Sequence, residues 1–193
     1  MKNVIRHMAL VLSLLAATSP LAAQDMLARH APVGMKLKPI DAPSVRHLLP
    51  RTDEREQSIA ESLEKRIASI MTEAFRHLGT RYRSGGKGPK AFDCSGFTSY
   101  VFARMGHAIG HSSREQYSRN TPINVSDMRR GDLVFFTSPG SGRNVGHVGI
   151  VVDVDPTTKK FTFIHASTSG GVKVNSSTDG FYARRFVGIR RVF

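Results

Sequence analysis

The stretch FDCSGFTSYVF, residues 92–102, contains Cys94, the single cysteine of this 193-residue chain. Phe97 and Val101 are spaced as on one face of a helix, and Asp93 is a residue type that caps helix N-termini. The stretch therefore predicts a helix that begins at Asp93 or Cys94. The positive end of a helix dipole lowers the pKa of a thiol, so we expect an activated cysteine. A free cysteine can also be simply a small buried hydrophobic residue. A role for Cys94 as a nucleophile therefore requires a base elsewhere in the chain.

The chain before this helix divides into three parts. Residues 1–23 place two basic residues before an apolar run and end in two alanines, the order of a secretory signal peptide. An uncleaved N-terminal anchor is the alternative; because Gln24 follows rather than cysteine, we expect export without lipid attachment. Residues 24–52 contain four prolines and little periodicity, which indicates an irregular extension or linker. From Asp53, helical periodicity up to Gly79 predicts one long amphipathic helix.

The chain is strongly basic, with a formal net charge of +13 that falls to +11 when the predicted signal peptide is removed. Such a charge favours anionic partners, here the anionic cell envelope, and no zinc-finger or RNA-binding motif supports nucleic acid. The glycines before Cys94 lack the Lys-Ser/Thr pair of a phosphate-binding loop. His107 and His111 have the spacing of helical zinc ligands, but Gly106 and Gly110 interrupt such a helix. We therefore expect no metal and no cofactor.

The C-terminal half predicts at least five short strands, because apolar and β-branched residues alternate there between turn residues. These segments are residues 132–137, 147–154, 160–167, 171–176 and 186–193. Helices followed by a run of strands indicate an α+β domain in which helices pack on an antiparallel sheet of five or six strands.

Two histidines, His147 and His165, lie on neighbouring predicted strands. A hairpin that pairs Val154 with Lys160 places His147 opposite Ser167, with His165 as its diagonal neighbour on the same face. A slip of one residue would separate them. In the predicted register, a cysteine at a helix end packed on this sheet could meet the first histidine while the second orients it. That is a nucleophile, a base and an orienting residue.

Six segments, in this order, resemble the NlpC (NlpC/p-sixty) family of cell-wall cysteine peptidases, which have a papain-like core. They are LGTRYRSGG (78–86), FDCSGF (92–97), HSSREQ (111–116), RRGDLVFF (129–136), GHVGIVV (146–152) and FIHAS (163–167). The resemblance covers about Ala74 to Phe193, and we expect such a domain over residues 53–193. Two positions depart from the family pattern: Ser84 replaces a common aromatic residue, and His111 replaces a common arginine.

The resemblance also implies the site residues and their roles. They are Cys94 as nucleophile, His147 as base and His165 as orienting residue, with Tyr82, Asp93 and Ser95 lining the site. Tyr82 would help to stabilise the oxyanion, and Asp93 and Ser95 would hold the amino end of the substrate.

The activity implied by the resemblance is that of an exported, monomeric peptidoglycan hydrolase, periplasmic or secreted, that cuts stem peptides as a thiol protease. The first expectation is the bond between D-glutamate and the diamino acid. The alternatives are a cross-link (D-Ala–diamino-acid) endopeptidase, an exported amidase or toxin on the same fold, and a non-catalytic wall-binding module.

Overall fold

The computed structural model describes residues 52–193. The signal peptide predicted for residues 1–23 and the extension predicted for residues 24–52 lie outside this part, except for Thr52, which begins a helix. Within residues 52–193 no helix combines the length and the apolar character that crossing a membrane requires.

The described chain forms four helices and six strands, with one turn of 3-10 helix at Val125–Asp127. The helices are α1 (Thr52–Arg76), α2 (Cys94–Arg104), α3 (Ser113–Arg119) and α4 (Gly180–Ala183). The strands are β1 (Thr121–Ile123), β2 (Leu133–Phe136), β3 (His147–Val154), β4 (Phe161–Ser167), β5 (Gly171–Ser176) and β6 (Phe186–Arg191). They make one sheet in the order β1-β6-β2-β3-β4-β5, and every neighbouring pair is antiparallel. The predicted α+β class is confirmed.

The two long helices each bury one apolar stripe, which in α2 consists of Phe97, Val101 and Phe102. In α1, the buried stripe lies in its second half, at Ile67, Ile70, Met71 and Ala74, whereas most of its first half is exposed. Acidic residues in the first turn of α1 and Arg76 in its last turn complement the helix dipole. Both helices thus occupy the predicted places, although α1 begins one residue before Asp53.

The sheet has a hydrophobic core on each face. We call the first the helix-side core; it joins α1 and α2 to strand residues Leu133, Phe135, Val148, Ile150, Ile164 and Ala166. The second, the outer core, lies on the opposite face and consists of Met128, Val134, Phe136, Val151, Phe161, Phe163, Tyr182 and Ile189. Because side chains alternate along a strand, neighbouring residues of β3 and β4 belong to different cores.

The β3–β4 hairpin differs from its predicted register near the loop. Val154 pairs with Phe161 rather than with Lys160, so that prediction is wrong by one residue. The loop closes through a hydrogen bond from the Asp155 amide to the Lys160 carbonyl, 2.8 Å, which shifts the pairing by one residue. A bulge between Val151 and Asp153 then removes this offset, because Val151 pairs with Phe163. The corrected register, continued along β3, places His147 opposite Ser167 as predicted.

Candidate active site

The N-terminus of α2 carries Cys94 as its first residue and Asp93 as its cap. The carboxylate Oδ1 of Asp93 accepts a hydrogen bond from the Gly96 amide at 2.6 Å and one from Ser95 Oγ at 3.1 Å. The predicted capping role of Asp93 is therefore confirmed. The glycine-rich loop lies against this turn, because the Asp93 amide donates to the Gly86 carbonyl at 2.9 Å.

A buried glutamine on α3 fixes the position of α2. Gln116 has no exposed surface, and its Oε1 accepts a hydrogen bond from Thr98 Oγ1 at 2.8 Å. Its Nε2 donates to the Ser95 carbonyl at 3.1 Å, to Ser99 Oγ at 2.9 Å and to the Gly110 carbonyl at 3.1 Å. The amide thereby ties the first turns of α2, which begin with the cysteine, to the segment before α3.

The two histidines form a direct pair. His147 opens β3, His165 lies in β4, and His147 Nε2 is 2.9 Å from His165 Nδ1. Strand alternation places His165 on the face of the outer core, where its ring contacts Phe163 and Tyr182 at centroid distances of 4.9 Å and 5.3 Å. The predicted contact of the two histidines on one face is confirmed. Helix α2 packs on the opposite face of the sheet. The thiol and His147 therefore meet where β3 begins.

The hydrogen-bonded chain continues beyond His165 to two residues that the sequence did not single out. His165 Nε2 is 3.0 Å from Asn175 Oδ1, and Asn175 Nδ2 donates to Asp179 Oδ2 at 2.6 Å. The Tyr182 hydroxyl lies 3.4 Å from the same His165 nitrogen. Lys173 pairs with His165 across β4 and β5, so Asn175, two residues further on, is a diagonal neighbour. The same diagonal rule that predicted the histidine pair could have found Asn175.

The thiol and the first histidine face one pocket of about 420 Å³. Its lining comprises Tyr82, Cys94, Thr137, Ser138, Pro139, Gly146, His147, Ala166, Ser167, Thr168, Phe181 and Tyr182. Three of the six predicted site residues, Tyr82, Cys94 and His147, therefore meet at this pocket. His165 lies behind His147. Asp93 and Ser95 lie outside the lining, because their side chains are engaged at the helix cap.

The thiol of Cys94 is not activated in the resting structure. Burial, and then the neighbouring Asp93 carboxylate, raise the pKa of Cys94, whereas backbone amides of Ser95, Val148 and Cys94 itself act to lower it. The predicted depression of this pKa is wrong, because a helix-end amide cannot outweigh desolvation and an adjacent negative charge. Among the hydrogen bonds of residues 52–193, none joins the Cys94 sulfur to His147.

The neighbouring groups are neutral as well. Burial, and then His165, lower the pKa of His147 from 6.5 to about 3. Burial lowers the pKa of His165 from 6.5 to about 4, in spite of the hydrogen bond from His165 to Asn175, which acts to raise it. Burial, with Cys94 and Asp93 nearby, raises the pKa of Tyr82, so its hydroxyl keeps its proton at neutral pH. The resting site thus contains a thiol, a phenol and two uncharged imidazoles.

The pair His107 and His111 does not form a metal site in the described chain. His107 is 2.9 Å from an Arg66 guanidinium nitrogen, and its ring stacks on Phe193 at 5.0 Å. His111 is exposed, and its carbonyl accepts hydrogen bonds from Lys87 and Ser95. Residues 52–193 contain no group of three or more histidine, cysteine or acidic side chains arranged for a metal ion.

A cysteine at a helix N-terminus that shares a pocket with a histidine of an antiparallel sheet is the arrangement found in papain-like cysteine peptidases. Residues 79–191 match the model of the NlpC/P60 family, which is more than half of the chain. The protein belongs to the NlpC/P60 family.

Two relatives illustrate the similarity in sequence. A protein of Listeria seeligeri named "Probable endopeptidase p60" is 44% identical over 107 residues, which are 52% of this chain and 20% of the relative. "Murein DD-endopeptidase MepS/Murein LD-carboxypeptidase" of Escherichia coli K12 is 36% identical over 124 residues, 64% of this chain and 61% of the relative. The chain therefore spans a fifth of the Listeria protein and less than two thirds of the Escherichia coli one.

Solved structures show the same fold. An NLP/P60 family protein from Staphylococcus aureus subsp. aureus Mu50 superposes with a TM-score of 0.59 at 28% identity, covering 67% of this chain and 42% of that one. The NlpC/p60 domain of peptidoglycan hydrolase SagA has a TM-score of 0.53 at 37% identity, covering 65% of this chain and 97% of that domain. The predicted papain-like NlpC fold is thereby confirmed.

Proposed function

We propose that this protein is a cysteine endopeptidase that cuts the stem peptides of peptidoglycan. The observation that carries the proposal is the common pocket of Cys94 and His147, with His165 2.9 Å behind the first histidine. The names of the relatives, endopeptidases and a peptidoglycan hydrolase, supply the substrate class. Cys94 is the nucleophile, His147 the base, and His165 the residue that orients it.

The reaction begins from the neutral site. As Cys94 Sγ forms a bond with the peptide carbonyl carbon, its proton passes to the free Nδ1 of His147. The backbone amide of Cys94 and the hydroxyl of Tyr82 then donate hydrogen bonds to the oxyanion. The C–N bond breaks as His147 returns the proton to the leaving amine, which produces a thioester. Water, deprotonated by the same imidazole, releases the acid and restores the thiol.

The bond proposed first is the one between D-glutamate and the following diamino acid, on the resemblance of the motif order. Asp93, which would hold the amino end of the substrate, contacts the Lys87 ammonium at 3.4 Å. An incoming amine would have to displace that lysine. Arg83 and Lys90 are exposed nearby and can meet substrate carboxylates.

Cleavage of the D-Ala–diamino-acid cross-link is the second candidate. It is favoured by the relative from Escherichia coli, whose name is that of a murein DD-endopeptidase. The two bonds differ in the products that digestion leaves, so one mass spectrum separates them. Release of the intact stem peptide from the sugar would instead identify an amidase, including an exported toxin of that activity.

Digestion of purified peptidoglycan tests the proposal. The wild-type protein should release muropeptides that mass spectrometry assigns to one bond, and Cys94→Ala should release none while it keeps the same thermal unfolding curve. His147→Ala should lose more turnover than His165→Ala, because a base contributes more than its orienting residue. His111→Ala, an exposed histidine outside the pocket, serves as the control. Full activity of Cys94→Ala would overturn the mechanism, and wall binding without cleavage by the wild type would indicate a binding module.

The proposed site of action is the cell envelope, reached by export and cleavage after residue 23. The basic charge of the chain suits an anionic wall, and the protein would act as a monomer, without lipid attachment, in the periplasm or outside the cell. N-terminal sequencing of the exported protein should begin at Gln24. A retained N-terminus would instead indicate an anchor.

A further inference from the structure

Two residues beyond the histidine pair complete one hydrogen-bonded chain. Asn175, on β5, contacts His165 through Oδ1 at 3.0 Å and Asp179 through Nδ2 at 2.6 Å. Asp179 is itself fixed, because its Oδ2 accepts from the Ser176 amide at 3.1 Å and its backbone carbonyl accepts from the Tyr182 amide of α4 at 2.8 Å. The order of contacts is therefore Asp179, Asn175, His165, His147.

The chemistry of these groups permits one direction of donation. A carboxylate only accepts hydrogen bonds, so the amide group 2.6 Å from Asp179 must be the NH₂ of Asn175. The carbonyl Oδ1 of Asn175 then faces His165, and an oxygen acceptor requires a proton on Nε2 of that ring. Reversing the amide would bring two oxygens together at 2.6 Å.

The direction carries through both rings. A neutral imidazole has one N–H, so a proton on His165 Nε2 leaves its Nδ1 as an acceptor. His147 Nε2, 2.9 Å away, must therefore be the donor. Because this nitrogen carries the single proton of the neutral ring, Nδ1 of His147 carries none. An Nδ1 without a proton is the state in which His147 can accept the proton of the Cys94 thiol.

We propose that Asn175, anchored by Asp179, is a positioning residue that sets the tautomers of both histidines and so presents an unprotonated Nδ1 of His147 at the pocket. The inference rests on the proposed role of His147 as the base. Lys173 and Tyr182 also face His165, but neither can impose this direction. The ammonium only donates, and the hydroxyl, 3.4 Å from Nε2, can donate or accept.

The first test removes the amide while keeping its size. Asn175→Leu should lower kcat on the order of 10²-fold with KM within about twofold, because a base in the wrong tautomer binds substrate but does not take its proton. Imidazole ¹⁵N–¹H correlation spectra should show Nε2–H on both histidines of the wild type and a mixture in the variant. Asn124→Leu, the same change at an exposed position with no side-chain cap bond, should alter neither.

A second variant, Asp179→Ala, keeps the test decisive if the leucine variant does not fold. It leaves Asn175 in place but removes the carboxylate that fixes the orientation of its amide, so part of the Nε2–H signal of both histidines should be lost and kcat should fall. Unchanged kcat and unchanged Nε2–H signals in Asn175→Leu, or in Asp179→Ala, would overturn the positioning role. A further outcome is that the variants shift the tautomers as expected while the wild-type protein cleaves no wall substrate. That outcome would support the inference and refute the proposed function.

Discussion

Gly149 of β3 lies where any larger side chain would collide with the residues of β4 around His165. A Cβ at Gly149 would lie 2.7 Å from Phe163 Cδ2 and 3.1 Å from His165 Cβ. Both atoms belong to β4, which approaches β3 closely at this point. The glycine therefore allows the ring of His165 to reach His147.

We expect Gly149→Ala to lower kcat on the order of 10²-fold, because a displaced His165 no longer orients the base. Overpacking should also cost about 1–3 kcal/mol of the free energy of unfolding. Kinetics and urea unfolding measure the two effects. Gly180→Ala, where the new Cβ meets only Arg184 and no atom closer than 3.4 Å, is the control. An unchanged kcat in Gly149→Ala would show that the close approach is not needed.

The histidine pair also makes the stability of the fold depend on pH. Folded His165 stays neutral until the pH nears 4, because burial lowers its pKa to about 4. The unfolded chain takes up this proton near pH 6.5, so between these values it binds more protons and is favoured. We expect the free energy of unfolding to fall as the pH drops from about 6.5 to about 4, by ~3 kcal/mol for this residue.

Urea unfolding at several pH values measures this dependence. His165→Asn should show a shallower fall below pH 6.5 than the wild type, whatever its stability at pH 7. His111→Asn, at an exposed position, should leave the slope unchanged. Equal slopes for the wild type and His165→Asn would mean that the imidazole is not kept neutral by the fold.

At the scale of elements, one glutamine holds α3 against the start of α2. We expect Gln116→Leu, a change of similar volume, to cost about 2–4 kcal/mol of the free energy of unfolding, because its buried partners lose their hydrogen bonds. The first turn of α2 should also shift, and kcat should fall with it. Urea unfolding and kinetics, with Gln57→Leu on the exposed face of α1 as the control, test this. Equal effects of the two variants would contradict the role of Gln116.

The elements that the sequence predicts are those with a full period. Helices α1 and α2 and strands β2 to β6 have enough residues for a pattern to be visible. Helix α3 has seven residues, α4 four and β1 three, so their formation depends on tertiary contacts. The pairing next to the hairpin loop differs by one residue from its prediction, because a bulge leaves no mark in an alternating apolar sequence.

The site shows the same division. The places of Cys94, His147 and His165 follow from helix capping and from the diagonal rule for paired strands, which need only local geometry. The direction of the Cys94 pKa shift does not follow, since it depends on burial and on the Asp93 carboxylate. Those quantities exist only once α2 is packed against the sheet.

At the scale of the whole molecule, we propose that the domain boundary lies before α1. We expect a protein that begins at Thr52 to fold and to cut muropeptides as fast as the protein that begins at Gln24. A protein that begins at Gly79, where the family match starts, should not fold stably. It lacks Ile67, Ile70 and Met71, each worth about 1.5–3 kcal/mol.

Circular dichroism and muropeptide digestion compare the three proteins. Failure of the protein that begins at Thr52 would mean that residues 24–51 contribute to the fold. Full stability of the protein that begins at Gly79 would mean that Ile67, Ile70 and Met71 do not contribute to the core as their burial indicates.

The protonated state of Cys94 also bears on the chemical stability of its sulfur. Peroxides and disulfides react with thiolates, and a sulfur that burial and Asp93 keep as a thiol is a slow target for them. Residues 52–193 contain no second cysteine with which it could form a disulfide. An exported form could therefore remain in an oxidising space for a long time with its nucleophile intact. Its sulfur would become reactive only while it attacks the carbonyl carbon of a bound peptide.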